Sequence, residues 1–178
     1  NETQTFGKID QTDLELKECS FEKDANAMVL FDKIDIYFDN KFDIIMERHK
    51  RIKIFNDKAK DEADIKLEYY GGNKLENLTN LQAQTINLNN GKQTITKVEK
   101  KSIYTQIIDK SRSAIVFTFP DVQPGSVLEF KYRQRTEAVW NFPNWLIQEK
   151  LPVRYSQMKT AIPEYFYYKT QIRTRQPW

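Results

Sequence analysis

The strongest constraint on this chain is a two-residue rhythm of apolar and polar side chains, carried in short runs that each stop at turn residues. Residues 64–70 set Ile65, Leu67 and Tyr69 against Lys66, Glu68 and Tyr70, and end at Gly71-Gly72. Residues 114–119 set Ile115, Phe117 and Phe119 against Ala114, Val116 and Thr118; residues 128–133 set Leu128, Phe130 and Tyr132 against Glu129, Lys131 and Arg133. Successive side chains of a strand point to opposite faces, so a period of two marks a half-buried strand. Further strands are expected over 25–31, 34–38, 41–55, 81–88, 93–98 and 156–161. Asn90-Gly91 supplies the residues that a type I′ hairpin turn favours, and Pro124-Gly125 is a second turn signal.

Helical periodicity is nearly absent. Asp10 can cap a short helix within 10–19, with Asp13 in its first turn. Residues 100–108 fit a helical turn or an irregular edge as well as a strand. The expected fold class is all-β: one antiparallel β-sandwich-like domain over 10–178, with at most short helical turns, after a loose leader over 1–9. A chain of 178 residues buries about 70% of its unfolded surface, ample for a core without disulfide or metal staples. Aromatic residues make up 13% of it, and these favour strands.

Charge and cysteine content exclude several functions. Lys and Arg number 28 against 25 Asp and Glu, with acids interspersed nearly everywhere, unlike the concentrated positive patch of a nucleic-acid binder. Cys19 is the only cysteine and His49 the only histidine, so an internal disulfide and a Cys/His zinc cluster are ruled out. No run reaches the roughly 18 apolar residues of a membrane span, and no signal peptide is visible. No cofactor or metal is expected.

Five groups of residues invite a functional reading. In 41–55 one face reads Ile44, Met46, Arg48, Lys50, Ile52, Ile54 and the other Ile45, Glu47, His49, Arg51, Lys53. The first is apolar at both ends and cationic between. An unpartnered buried cation is costly, so either a bulge shifts the register near Arg48 or Arg48 pairs with a carboxylate. The same cations could bind an anion, but alternation splits them between faces; a solvated strand face with one structural ion pair is the expectation. Cys19 and His49 could form a thiolate–imidazole pair, yet Glu18 and Glu22 flank the cysteine with the wrong charge, and no catalytic residue is expected. Asp61, Glu62 and Asp64 read as a solvated bend, and Asn77-Leu78-Thr79 has the spacing of a glycosylation acceptor.

The last group is the most distinctive: Trp140, Phe142 and Trp145, with Tyr165, Phe166, Tyr167 and Tyr168. This aromatic segment can fold back over the sandwich, dock a neighbouring domain, or offer ring faces to a sugar. Trp140, Phe142, Trp145, Tyr165 and Tyr167 are accordingly the candidate binding residues, for an interface or a glycan platform.

The run from Phe117-Thr118-Phe119-Pro120 through Pro124-Gly125-Ser126 to Phe130-Lys131-Tyr132 resembles the hallmark of domain-of-unknown-function family 3857. Supporting segments occur in the expected order along the chain at 24–31, 47–54, 140–145 and 162–166, so the resemblance spans roughly 14–169. It implies a β-sandwich at the N-terminus of an exported protein, typically of Bacteroidota, followed by a transglutaminase-like, papain-type domain. It further implies a periplasmic or cell-envelope location and a non-catalytic scaffold or interaction role, since the family has no established catalytic residues. The partner would be the downstream domain of the same polypeptide, or else a cell-envelope glycan or protein.

Overall fold

The computed structural model describes residues 5–140, 142–147, 149–169 and 171. Nine strands lie among them: β1 (Ala27–Phe38), β2 (Ile44–Ile54), β3 (Asp64–Tyr69), β4 (Glu76–Asn89), β5 (Lys92–Lys97), β6 (Tyr104–Ile107), β7 (Ser113–Thr118), β8 (Val127–Thr136) and β9 (Ser156–Thr160). One short helix, α1 (Gln11–Glu15), precedes them, and 3-10 turns occupy Asp57–Ala63, Gly72–Lys74 and Lys100–Ser102. The fold class is all-β, as the alternation requires. Strands β5-β4-β8-β2-β1-β9 form a six-stranded sheet and β3-β7-β6 a three-stranded one. Their pairings are antiparallel except that of β9, which runs parallel to β1.

The turns take the conformations their residues favour. Asn90 and Gly91 both have positive φ, 50° and 75°, as a type I′ hairpin demands. Gly125 has φ 94°, and the Ser126 N–H donates to the Gln123 carbonyl at 3.0 Å, closing a turn with Pro124 in its first central place.

Residues 27–38 form one strand where two are expected over 25–31 and 34–38, and a bulge lies within it. Val29 pairs with Ile52 and Asp32 with Lys50, so three residues of β1 span two of β2. The extra residue reverses the alternation: Ala27 and Val29 share a face with Asp32, Ile34 and Ile36.

Three apolar clusters hold the layers. Between the two sheets, Val29, Ile52, Ile54, Leu128, Phe130 and Tyr132 meet Leu67, Phe117 and Phe119. On the opposite face of the six-stranded sheet, Met28, Leu30, Ile86 and Val127 are covered by Leu14 of α1 and by Cys19. Beside the inter-sheet core, Ile34, Ile36 and Ile44 receive Phe38, Phe142 and Trp145.

Candidate functional site

The register places Arg48 between Ile34 of β1 and Tyr132 of β8. Its guanidinium donates to both oxygens of the buried Asp32 carboxylate, at 2.9 and 2.5 Å, and to Glu149 at 3.2 Å. Lys50 Nζ donates to Glu149 and lies 3.7 Å from Asp32. Of the two sequence alternatives, pairing with a carboxylate is therefore the one realised, while the bulge sits in β1. Burial pulls the Arg48 pKa down, but its hydrogen bonds and attraction to Asp32 outweigh burial and raise it. Burial pushes Glu149 up, and the bonds from Lys50 with the charge of Arg48 bring it below its ordinary value. Glu149 belongs to the connection between β8 and β9, so this cluster ties that connection to the sheet. The Trp145 ring adds a cation–π contact, with the Arg48 guanidinium 5.2 Å from its centroid, and its Nε1–H donates to Ser156 Oγ at 3.1 Å.

The five candidate aromatics divide into two sets. Phe142 and Trp145 fold back and are half-buried against Ile34, Ile36 and Ile44. Trp140, Tyr165 and Tyr167 point outward, 78%, 69% and 94% exposed. Between the last two, Phe166 stacks on Phe38 at 4.6 Å, and Tyr168 donates from its hydroxyl to the Val139 carbonyl at 2.7 Å. Inward rings thus anchor a segment that presents the outward ones. Phe42, which sequence reasoning passed over, joins the outward set: its exposed ring meets Tyr165 edge-on at 82°. It sits at φ 66° in the turn between β1 and β2, where Asp39 accepts from the Lys41 and Asp43 amides. A bulky residue in the left-handed region costs about 1–3 kcal/mol.

The other face of β2 corrects an expectation. Arg51 and Lys53, expected on a solvated face, are fully buried, as is Glu129 of β8. They lie beneath residues 5–19. Arg51 donates to Glu129 Oε1 at 2.5 Å and to the Lys8 carbonyl at 2.9 Å. Glu129 also accepts from the Gly7 amide and from Gln84, and its Oε1 lies 2.9 Å from His49 Nε2. Burial pushes Glu129 up, and His49 and Arg51 more than offset it, leaving the carboxyl below its usual range. Lys53 Nζ donates to the Leu14 and Gly125 carbonyls; burial lowers its pKa to about 8, against the pull of Asp13. Asp13 in turn accepts two bonds from Arg154.

His49 is half-buried between the Phe6 and Phe31 rings, and Cys19 lies in the apolar cluster of Leu14, Met28 and Leu30. The structure does not bring the two together. Among the described residues no group of three His, Cys, Asp or Glu gathers as a metal site, and no helix is long and apolar enough to cross a membrane.

Comparison with known proteins places this architecture. No curated protein sequence matches the chain. Among solved structures, a "putative protease" from Parabacteroides distasonis aligns with a TM-score of 0.63 at 13% identity, over 78% of this chain and 29% of that one. At that identity the likeness is one of fold, and this chain spans less than a third of the longer protein. Native yeast LTA4 hydrolase aligns with a TM-score of 0.35 at 9% identity, over 64% of this chain and 15% of that one, a level from which no common fold follows. The family model described as a "domain of unknown function with solved-structure structure" (DUF3857) matches residues 40–177. That match takes in β2 to β9 and the aromatic segment, and the chain belongs to the DUF3857 family.

Proposed function

We propose that this chain is a non-catalytic scaffold and interaction domain of a longer, exported bacterial polypeptide, and that its aromatic surface docks an adjoining transglutaminase-like, papain-type domain. The observation that carries the reading is the outward set Trp140, Tyr165, Tyr167 and Phe42, presented by segments whose inward rings Phe166 and Tyr168 are anchored on Phe38 and the Val139 carbonyl. Exposed aromatics on a rigid support are the usual composition of an interface core. The fold likeness to part of a longer protein described as a protease supports a multi-domain parent.

The competing reading is a glycan-binding module at the cell envelope. A sugar platform needs open, flat ring faces, and Trp140 offers one. Tyr165 instead interlocks with its neighbours, at 82° to Phe42 and 56° to Phe166, which favours a protein partner.

Hydrogen exchange compares this chain alone with the full polypeptide. Docking predicts slower exchange over 163–168 in the full polypeptide. Equal exchange in both contradicts it, and a tryptophan emission shift with cell-envelope polysaccharide would then favour the glycan reading.

A further inference from the structure

An open groove of about 700 Å³ lies on the six-stranded sheet, bordered by Thr5 at the edge of the covering N-terminal segment. Its size falls within the range of ligand sites. Two ion pairs on its floor cancel internally: Lys33 with Asp35 at 3.7 Å, and Arg133 with Glu47 at 2.5 Å. Lys100 and Lys131 also line it and make no ion pair among the described residues, so the groove carries a positive surplus. Asn80 and Gln82 add carboxamides at the place where the pairing of β4 with β8 shifts between Thr79 and Gln82, and Asn80 has φ 55°. Bulges commonly re-aim side chains in this way next to sites.

The neighbouring part of the same sheet shows how its residues hold a polypeptide. Arg51 donates to the Lys8 carbonyl and Glu129 accepts from the Gly7 amide, while Phe6 lies against both His49 and Lys131. Those polar bonds go to main-chain groups, which any segment could supply. The aromatic residue that lines the groove, Tyr132, packs in the inter-sheet core and offers no stacking face to a sugar.

We infer that the groove binds an extended acidic polypeptide segment, with Lys100 and Lys131 pairing its carboxylates and Asn80 and Gln82 bonding its main chain. Charge complementarity selects this occupant, because the floor's own carboxylates are already engaged. The inference is independent of the aromatic surface and stands or falls separately.

The test is fluorescence anisotropy of a fluorescein-labelled hexaglutamate peptide at about 0.15 M salt, where weak long-range attraction is screened. Saturable binding is expected, weakened about tenfold or more in Lys100→Glu/Lys131→Glu. It should be unchanged in Lys66→Glu on the three-stranded sheet, with hexalysine inert. Amide shifts confined to residues lining the groove should accompany binding in the unsubstituted protein, which guards against a misfolded variant. Absence of saturable binding, an equal loss in Lys66→Glu, shifts centred elsewhere, or equal binding of heparin would each overturn the inference.

Discussion

Replacing Arg51 with methionine keeps much of its volume and removes its charge, leaving Glu129 buried without its guanidinium. Both groups are fully buried and 2.5 Å apart. Breaking such a pair by deleting one partner costs about 3–5 kcal/mol. Glu129 keeps the Gly7 amide, Gln84 and His49, which places the expected loss at the lower end, about 3 kcal/mol. The loss should depend on pH. In the native protein Glu129 sits below its ordinary 4.5, so its contribution is present above that pH and fades as pH falls through the folded-state pKa. In Arg51→Met the burial that pushes the carboxyl upward is less opposed, and Glu129 can relieve the defect by taking up a proton. The deficit is therefore largest at neutral pH and shrinks toward acid. Urea unfolding at pH 7 and near pH 4 measures both values, and Arg51→Met/Glu129→Gln should recover most of the loss at pH 7. A single variant within about 0.5 kcal/mol of the parent at pH 7, or a double variant no better than the single, would refute the reasoning.

Other outcomes follow from the same geometry. Arg48→Ala should destabilise by about 2–3 kcal/mol in chemical denaturation, because Asp32 is buried but retains Lys50 at 3.7 Å. A loss near zero would mean that this pair adds nothing. Lys53 falls from 10.5 to about 8, so the unfolded chain binds more protons between those values and stability should rise with pH across that window. The gain is up to about 3 kcal/mol, and Lys53→Met should abolish the slope in unfolding curves taken from pH 7.5 to 10.5. Gly125→Ala should cost about 1–2 kcal/mol from backbone conformation alone, since φ is 94° and a methyl group there meets nothing within 4 Å; thermal unfolding checks it. Trp140→Ala/Tyr167→Ala should leave the melting of this chain almost unchanged, because both rings project into solvent.

The strands and turns were legible because alternation and turn chemistry are local. Asn90-Gly91 needs no distant partner to specify a hairpin, and Leu128, Phe130 and Tyr132 announce their face by spacing alone. Arg48 was legible as a conflict: a cation on a face apolar at both ends needs either a shifted register or a partner carboxylate. Its identity was not, because Asp32 reaches that face only through the bulge after Val29, which a continuous apolar run conceals. Arg51 and Lys53 misled, because a polar face normally reads as solvated. What covers them is a segment that bonds through the Lys8 and Leu14 carbonyls and the Gly7 amide, groups that every segment possesses and no side-chain pattern reveals. Strand β9 was legible over 156–161, but its parallel pairing with β1 was not, because the connection from β8 has no periodicity to show its direction. The aromatic segment was visible by composition, but its division into anchored and outward rings depends on contacts with Phe38, Ile34 and Arg48, all remote in sequence.

The central claim is that the outward aromatics meet the rest of the polypeptide. Acrylamide quenching of a protein whose sole tryptophan is Trp140 tests it most directly, comparing this chain alone with the full polypeptide. The account predicts red-shifted, readily quenched emission in the chain alone, where the ring is 78% exposed, and blue-shifted, protected emission in the full polypeptide. Equal quenching and the same emission maximum in both would contradict it.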